Sequence, residues 1–166
     1  DELKEKIKER LINTREQDAE NRKKDILVEQ AIENAEIDVP DVMINNETDR
    51  MIRELEQQLQ SQGMNLDLYY QFTQTDEDSL REQFRTDAEK RVRMNLTLEA
   101  IAKEENIEVT EDEIKEEIEK MAEMFQRSTE EIEQILALQG GRVNVEYDIK
   151  IRKAVDLLLA EAKLVE

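Results

Sequence analysis

The chain contains neither cysteine nor histidine, and these two absences remove most of the side-chain chemistry that enzymes and metalloproteins use. Without cysteine there are no disulfides or thiolate ligands, which is compatible with a cytoplasmic location. Without histidine, the commonest general base and the commonest zinc ligand are missing. Nucleophilic triads built on histidine or cysteine are therefore impossible. We expect no catalytic residue, no cofactor and no metal site.

Glycine, proline and aromatic residues are also scarce, with three glycines, one proline and 4% aromatics in 166 residues. So few breaks predict long helices. There is no glycine-rich phosphate loop, no apolar run as long as a membrane span and no secretory signal. The chain begins DELKEK without methionine, so we expect it to be a piece of a longer protein.

Acidic residues dominate the charge, with 43 Asp and Glu against 24 Lys and Arg and a formal net charge of -19. This charge opposes direct binding of nucleic acid, whose phosphates need basic partners, and of anionic membranes. It keeps a protein soluble even when apolar patches are exposed. The carboxylates are interpreted as solvated helix surface. The acidic stretch TDEDS (Thr75–Ser79) lacks the spacing and the glycine of a calcium loop.

Only helical periodicity is visible along the chain, which predicts an all-α fold. The first helix is predicted over residues 1–39, with Asp1 as its cap and a polar middle that bridges two regions. Pro40 separates it from a second helix, predicted over residues 41–62.

The segment MNLDLYYQF (Met64–Phe72) is short and apolar; core is the favoured interpretation, and an exposed binding surface stays open. A long helix is predicted after it, over residues 76–106, with Thr75 as its cap. Its apolar stripe is predicted to run through Leu80, Phe84, Ala88, Val92, Leu96 and Ala100.

Two capping boxes are predicted near the end of the chain, where a Ser or Thr precedes a Glu by three residues. Thr110 with Glu113 would start one helix, and Ser128 with Glu131 would start another. The closing helix is predicted over residues 142–166.

These two capped helices carry EKMAEMFQRSTEEIEQIL (Glu119–Leu136), in which several large apolar side chains gather. Such a stripe is usually core. However, the segments are short, and methionine is frequent on surfaces that bind many partners. The pattern alone leaves core and exposed binding surface both open.

Three segments resemble one known family. They are DRMIRELEQQLQSQGMNLDLYYQF (Asp49–Phe72), AEKRVRMNLTLEAIAKEENIEVTEDEI (Ala88–Ile114) and IRKAVDLLLAEAKLVE (Ile151–Glu166). All three resemble the C-terminal domain of bacterial trigger factor, a ribosome-associated chaperone, and they occur in the family's order across essentially the whole chain.

The resemblance implies an extended, SurA-like helical body with two protruding arms that hold unfolded or nascent polypeptides without ATP. In a single domain over residues 1–166, residues 41–106 would form the body and first arm, and residues 110–138 the second arm. Nothing matches the family's ribosome-docking or prolyl isomerase domains. The resemblance thus implies that ribosome binding and isomerase activity belong to the cytoplasmic parent protein, and that this chain is a monomer without enzymatic activity.

The resemblance also implies four client-binding residues. Met121 and Phe125 match the family's pair of a methionine and an aromatic residue four apart, and Ile132 and Ile135 match the pair on the next helix. Ile118 and Leu136 are interpreted as packing between the two helices. Tyr69, Tyr70 and Phe72 receive no role from the family pattern.

Two other functions remain open at this point. A helical adaptor with one folded partner would fit the long helices, although no clean heptad seam supports a coiled coil. A periplasmic SurA-type chaperone would need a signal peptide in its full-length gene. Suppressing the aggregation of unrelated unfolded proteins would separate a chaperone from an adaptor.

Overall fold

The computed structural model describes residues 2–138 and 140–163. Within these residues the chain forms α-helices and no strand, which confirms the all-α prediction. Asp1, the predicted cap, and residues 164–166 of the predicted closing helix lie outside the described residues. The helices are α1 (Glu2–Asn34), α2 (Asp41–Ser61), α3 (Leu66–Thr73), α4 (Glu77–Glu104), α5 (Glu111–Phe125), α6 (Thr129–Leu138) and α7 (Gly141–Glu161).

The chain divides into two compact units. The α5–α7 unit comprises Asp1–Glu33 and Leu98–Glu166, and the α2–α4 unit comprises Asn34–Thr97. Helix α4 therefore supplies residues to both units, because the division falls within it.

The α2–α4 unit has a small apolar core reinforced by ion pairs. Ile44, Met51 and Ala88 are buried together, and partly buried Val39 and Phe84 pack against them. Around this core, arginines of α4 pair with acids of α2. The pairs are Arg81 with Asp49 at 2.6 Å, Arg85 with Asp41 at 2.5 Å, and Arg91 with Glu54 at 3.2 Å and with buried Glu47 at 3.4 Å.

Helix α1 ends earlier than predicted, at Asn34 rather than at residue 39. The residue before a proline avoids helical backbone, so Val39 cannot continue a helix into Pro40. Contacts with distant residues also keep the residues before Val39 out of the helix. Val39 packs on the apolar core, and the Ile37 carbonyl accepts a hydrogen bond from Arg93 Nη1 at 3.3 Å.

Helix α4 differs from its prediction at both ends. The cap is Asp76, whose Oδ1 accepts from the Ser79 amide at 2.8 Å, whereas Thr75 forms a hydroxyl–hydroxyl bond with Thr73 at 2.6 Å. The helix ends at Glu104, two residues before the predicted end at residue 106.

The buried stripe of α4 also departs from the predicted one in its last turns. Leu80, Ala88 and Val92 are buried as predicted, but Ala100 is exposed, and Leu98 and Ala102 are buried instead. The predicted stripe used steps of four residues. Each such step advances about 40° around a helix of 3.6 residues per turn, so the stripe leaves the core after several steps.

The α5–α7 unit is built around six buried residues from three helices: Ile114, Ile118, Ala122, Ile132, Val145 and Ile149. Partly buried Val109, Met121 and Leu136 pack against this cluster. Helix α1 joins the unit through its C-terminal part, where Val28 is buried and Lys24 pairs with Asp156 of α7 at 2.8 Å.

Both predicted capping boxes are confirmed. The Glu113 amide donates to Thr110 Oγ1 at 3.3 Å, and the Thr110 amide donates to Glu113 Oε2 at 2.8 Å. Ser128 and Glu131 make the same reciprocal pair at 3.2 and 3.1 Å.

Helix α7 begins at Gly141, one residue before the predicted start, and ends at Glu161, so the predicted range 142–166 is too long. Ala162 and Lys163 are not helical. Alanine and lysine are good helix formers, so the sequence gives no signal that the helix ends before them.

Candidate functional site

Helices α5 and α6 form a hairpin whose turn is defined by local hydrogen bonds. After Phe125, Gln126 adopts left-handed backbone with φ of 52°, and the Arg127 amide donates to the Ala122 carbonyl at 3.0 Å. This pattern closes the end of a helix. The Ser128 capping box then starts α6 at Thr129.

The structure separates the four predicted site residues by their accessibility. Phe125 is 59% exposed at the end of α5, and Ile135 is 36% exposed on α6. In contrast, Ile132 is only 4% exposed, and Met121 is partly buried against the same core cluster. A client cannot reach Ile132 in this conformation, because Ile132 belongs to the cluster that joins α6 to α5 and α7. Ile118 and Leu136 do pack between the helices, as interpreted from the sequence.

Two exposed residues of this hairpin were missed. Met124 is 76% exposed beside Phe125, and Leu138 is 88% exposed at the end of α6. Met124 lies within the quoted stretch, but the family's residue pairs do not include it, so it received no role. Leu138 stands outside the stretch, and no pattern in the sequence marks it. We define the hairpin surface as Met124, Phe125, Ile135 and Leu138.

Acidic side chains accompany the hairpin surface. Glu119, Glu123, Glu130 and Glu133 are all exposed on α5 and α6. The positive charge of Lys120 on α5 is offset by Glu117, because the two side chains form an ion pair at 3.7 Å. The apolar side chains of the hairpin surface therefore have predominantly acidic neighbours along the same two helices.

The base of α5 is held by an ion pair with α7. Lys153 Nζ donates to Glu113 Oε1 at 2.7 Å and to the Glu108 carbonyl at 2.7 Å. Together with the Thr110 amide, this ammonium lowers the pKa of Glu113 to about 2. The same acid thus serves both as helix cap and as a link to α7, which orients the hairpin on its unit.

A second exposed apolar area lies on α3 in the α2–α4 unit. Phe72 is 78% exposed and Leu68 is 40% exposed, so the core interpretation of these two residues is wrong. Tyr69 and Tyr70 are half-buried, with ring centroids 6.2 Å apart at 68°. Burial raises the pKa of Tyr70, with smaller contributions from nearby acids. None of the eight residues of α3 is fully buried, so its apolar side chains remain at least partly accessible to solvent.

The described residues contain no group of three or more acidic side chains arranged to hold a metal ion. Among their helices, none combines the length and the apolar character needed to cross a bilayer.

The sequence signature of the family described as "Bacterial trigger factor protein (TF) C-terminus" matches residues 1–160. The chain belongs to the trigger factor family. It is 53% identical to the trigger factor of Halalkalibacterium halodurans over 165 residues, and 55% identical to that of Shouchella clausii over 163 residues. These alignments cover 99% and 98% of this chain but 38% of each relative. The chain thus spans 38% of the length of these trigger factors.

The fold is also similar to a solved structure of trigger factor domains from Thermotoga maritima, with a TM-score of 0.61. That alignment covers 84% of this chain and 81% of the other, at 24% sequence identity. At this identity, the likeness supports the helical trigger factor fold alone.

Proposed function

We propose that this chain is the client-binding module of an ATP-independent chaperone, and that the hairpin surface binds apolar segments of unfolded or nascent polypeptides. The observation that carries the proposal is the high exposure of adjacent Met124 and Phe125 at the end of α5, at 76% and 59%. Clusters of exposed apolar side chains mark interaction sites, whereas isolated ones are common on any surface, and Met124 and Phe125 share their helical hairpin with exposed Ile135 and Leu138.

Phe125 can contribute substantially to such binding. A phenylalanine has about 200 Å² of surface, so 59% exposure leaves roughly 120 Å² for a client to cover. At about 25 cal/mol per Å², complete coverage is worth about 3 kcal/mol. Ordering the side chains at the contact costs about 1 kcal/mol. The net contribution of about 2 kcal/mol corresponds to roughly a 30-fold change in Kd.

The identities of the four residues suit a surface that accepts many sequences. Met124 is flexible and polarizable, so it adapts to side chains of different shape. The acids on α5 and α6 attract clients that carry basic residues and repel other copies of this strongly acidic chain. Met121 and Ile132 support this surface from below, since both pack in or against the core cluster.

The exposed side chains of α3 offer a second weak contact for the same kind of client. Leu68 and Phe72 are four residues apart and therefore lie on one side of the helix. A client long enough to engage both sites at once would bind more tightly than at either site alone, because the second contact would form at a high effective concentration.

The proposal is tested by NMR titration of isotope-labelled protein with a chemically unfolded polypeptide. We expect shift changes at the hairpin surface, and weaker binding for the double variant Met124→Ser/Phe125→Ser. The matched control is Val42→Ser/Met43→Ser, an adjacent apolar pair in the first turn of α2 that is 62% and 36% exposed. Equal affinities for the two double variants would exclude the hairpin surface as the client site.

Aggregation assays separate this function from that of an adaptor. The chaperone module should suppress the aggregation of several unrelated unfolded proteins, and the Met124→Ser/Phe125→Ser variant should do so less well. An adaptor would protect none of them and would bind one folded partner instead.

Ribosome binding and prolyl isomerase activity are proposed for the parent protein in the cytoplasm, through domains outside these 166 residues. Such a parent would bring the hairpin surface to nascent chains at the ribosome and assist their folding and export. This module itself is proposed to be monomeric and to bind neither nucleic acid nor membranes directly, as its net charge of -19 favours.

A further inference from the structure

The N-terminal part of α1 differs from every other long helix segment in its exposure. Every residue from 4 to 23 is exposed, whereas Lys24 pairs with α7 and Val28 is buried. A helix of about 20 residues that packs on nothing is only marginally stable in water, since tertiary packing supplies most of a helix's stability. Within the part of the chain that the structure describes, no packing contact supplies this stability to the segment.

One face of this segment combines apolar and basic side chains. At 3.6 residues per turn, six residues share an arc of about 140°. The six begin at Lys4 and end at Arg15, and the two acids between these positions, Glu5 and Glu9, fall outside this arc. The three apolar members are 50%, 58% and 44% exposed, and the six together line a shallow surface that is open to solvent. We call these residues the α1 face: Lys4, Ile7, Lys8, Leu11, Ile12 and Arg15.

The charge of the α1 face indicates the chemistry of its partner. The six residues of the α1 face include three basic side chains and no acid, and such a basic face stands out in a chain whose net charge is -19. They favour an acidic partner, and the apolar side chains among them favour an amphipathic one. A bilayer is a poorer fit, because helices that lie on membranes have a much larger apolar face than three side chains. A second copy of this chain would bring a second large negative charge close to the first.

The length of the relatives indicates where such a partner is found. The chain spans 38% of the trigger factors that it matches, so most of a parent of that length lies outside it. A segment of the same polypeptide is present at an effective concentration in the millimolar range. It can therefore occupy a modest surface that a free partner would bind weakly.

We propose that the α1 face is the docking site for an acidic, amphipathic segment of the parent polypeptide that lies outside these 166 residues. In the parent, this segment covers Leu11 and its apolar neighbours while its acids pair with Lys4, Lys8 and Arg15. The contact stabilises the N-terminal part of α1 and joins this module to the rest of the protein.

Amide hydrogen exchange of the full-length parent tests this proposal. We expect residues 4–23 to be protected, and we expect Arg15→Glu and Leu11→Ala each to raise their exchange rates about tenfold. The matched control is Arg10→Glu, which makes the same charge change at an exposed position outside the arc and should leave the exchange rates unaltered. Lack of protection in the unsubstituted parent, or equal effects of Arg15→Glu and Arg10→Glu, would overturn the proposal.

Cross-linking of the same full-length protein identifies the occupant. A short reagent that joins amines to carboxylates should connect Lys4 or Lys8 to an acid outside these 166 residues, within one molecule. Mixing ¹⁴N- and ¹⁵N-labelled protein distinguishes links within a molecule from links between molecules. Mixed-label links alone would show that a second copy occupies the α1 face and would refute an intramolecular partner.

Discussion

Ile132 and Ile135 lie three residues apart on α6, and replacing each by alanine should have opposite consequences. Ile132 is 4% exposed within the core cluster, whereas Ile135 is 36% exposed. Ile132→Ala removes three carbon groups worth about 0.8 kcal/mol each and leaves a cavity. Because buried isoleucine-to-alanine changes cost about 2–5 kcal/mol, we expect the α5–α7 unit to lose about 3 kcal/mol of unfolding free energy.

For Ile135→Ala, the unfolding free energy should change by less than about 1 kcal/mol, because partial burial is lost while alanine favours the helix. Its effect should instead be a weaker affinity for unfolded clients. The contrast between the two variants separates a structural role from a binding role at neighbouring positions of one helix.

Urea titration followed by NMR signals of the α5–α7 unit measures this difference, because circular dichroism would average over helices of both units. Client affinity is then measured without urea, under conditions in which both variants remain folded. The reasoning would be refuted if Ile132→Ala left the urea midpoint unchanged while weakening client binding. That result would mean that Ile132 becomes accessible to clients in solution.

Three further changes test local features of the α5–α7 unit. Gln126→Gly should raise the unfolding free energy by about 0.5–1 kcal/mol in urea titration, because a non-glycine residue at φ of 52° is strained. Gly141→Ala should lower the unfolding free energy by about 1 kcal/mol. The new Cβ would lie 2.7 Å from Leu136 Cδ2 and 3.2 Å from Leu136 Cα, and the cost of this overpacking exceeds the gain from the higher helix propensity of alanine. The pKa of Glu113 is lowered from 4.5 to about 2, mainly by Lys153, so its stabilisation is complete above pH 4.5 and is lost as the pH falls towards 2. Lys153→Gln should reduce this loss in acid urea titrations, and an unaltered pH profile would contradict the assigned cause.

Helix identity and several helix starts were readable from the sequence because they depend on neighbouring residues. The capping boxes at Thr110 and Ser128 are local hydrogen-bonding patterns, and both formed as predicted. Helix α2 likewise matched its prediction within one residue, since Pro40 defines its start. The end of α1 was misplaced because distant contacts of Ile37 and Val39 hold the chain extended there.

The candidate site was only partly readable for the same reason. Periodicity correctly grouped the apolar residues of α5 and α6 but could not show which face of each helix is covered. Phe125 and Ile135 stay predicted client contacts because they are exposed, and Met124 and Leu138 join them on the same ground. Ile132 has an equally apolar side chain in the same stretch and belongs to the core.

The sequence by itself determined that this chain is helical, strongly acidic and without histidine or cysteine chemistry, because these properties follow from composition and local spacing. Tertiary structure alone decided which apolar side chains face water. Burial depends on the neighbour that a helix meets in space. Helix α7 covers the α5–α6 hairpin on one side and leaves Met124 and Phe125 exposed, and within the described residues every position of α1 from 4 to 23 stays exposed.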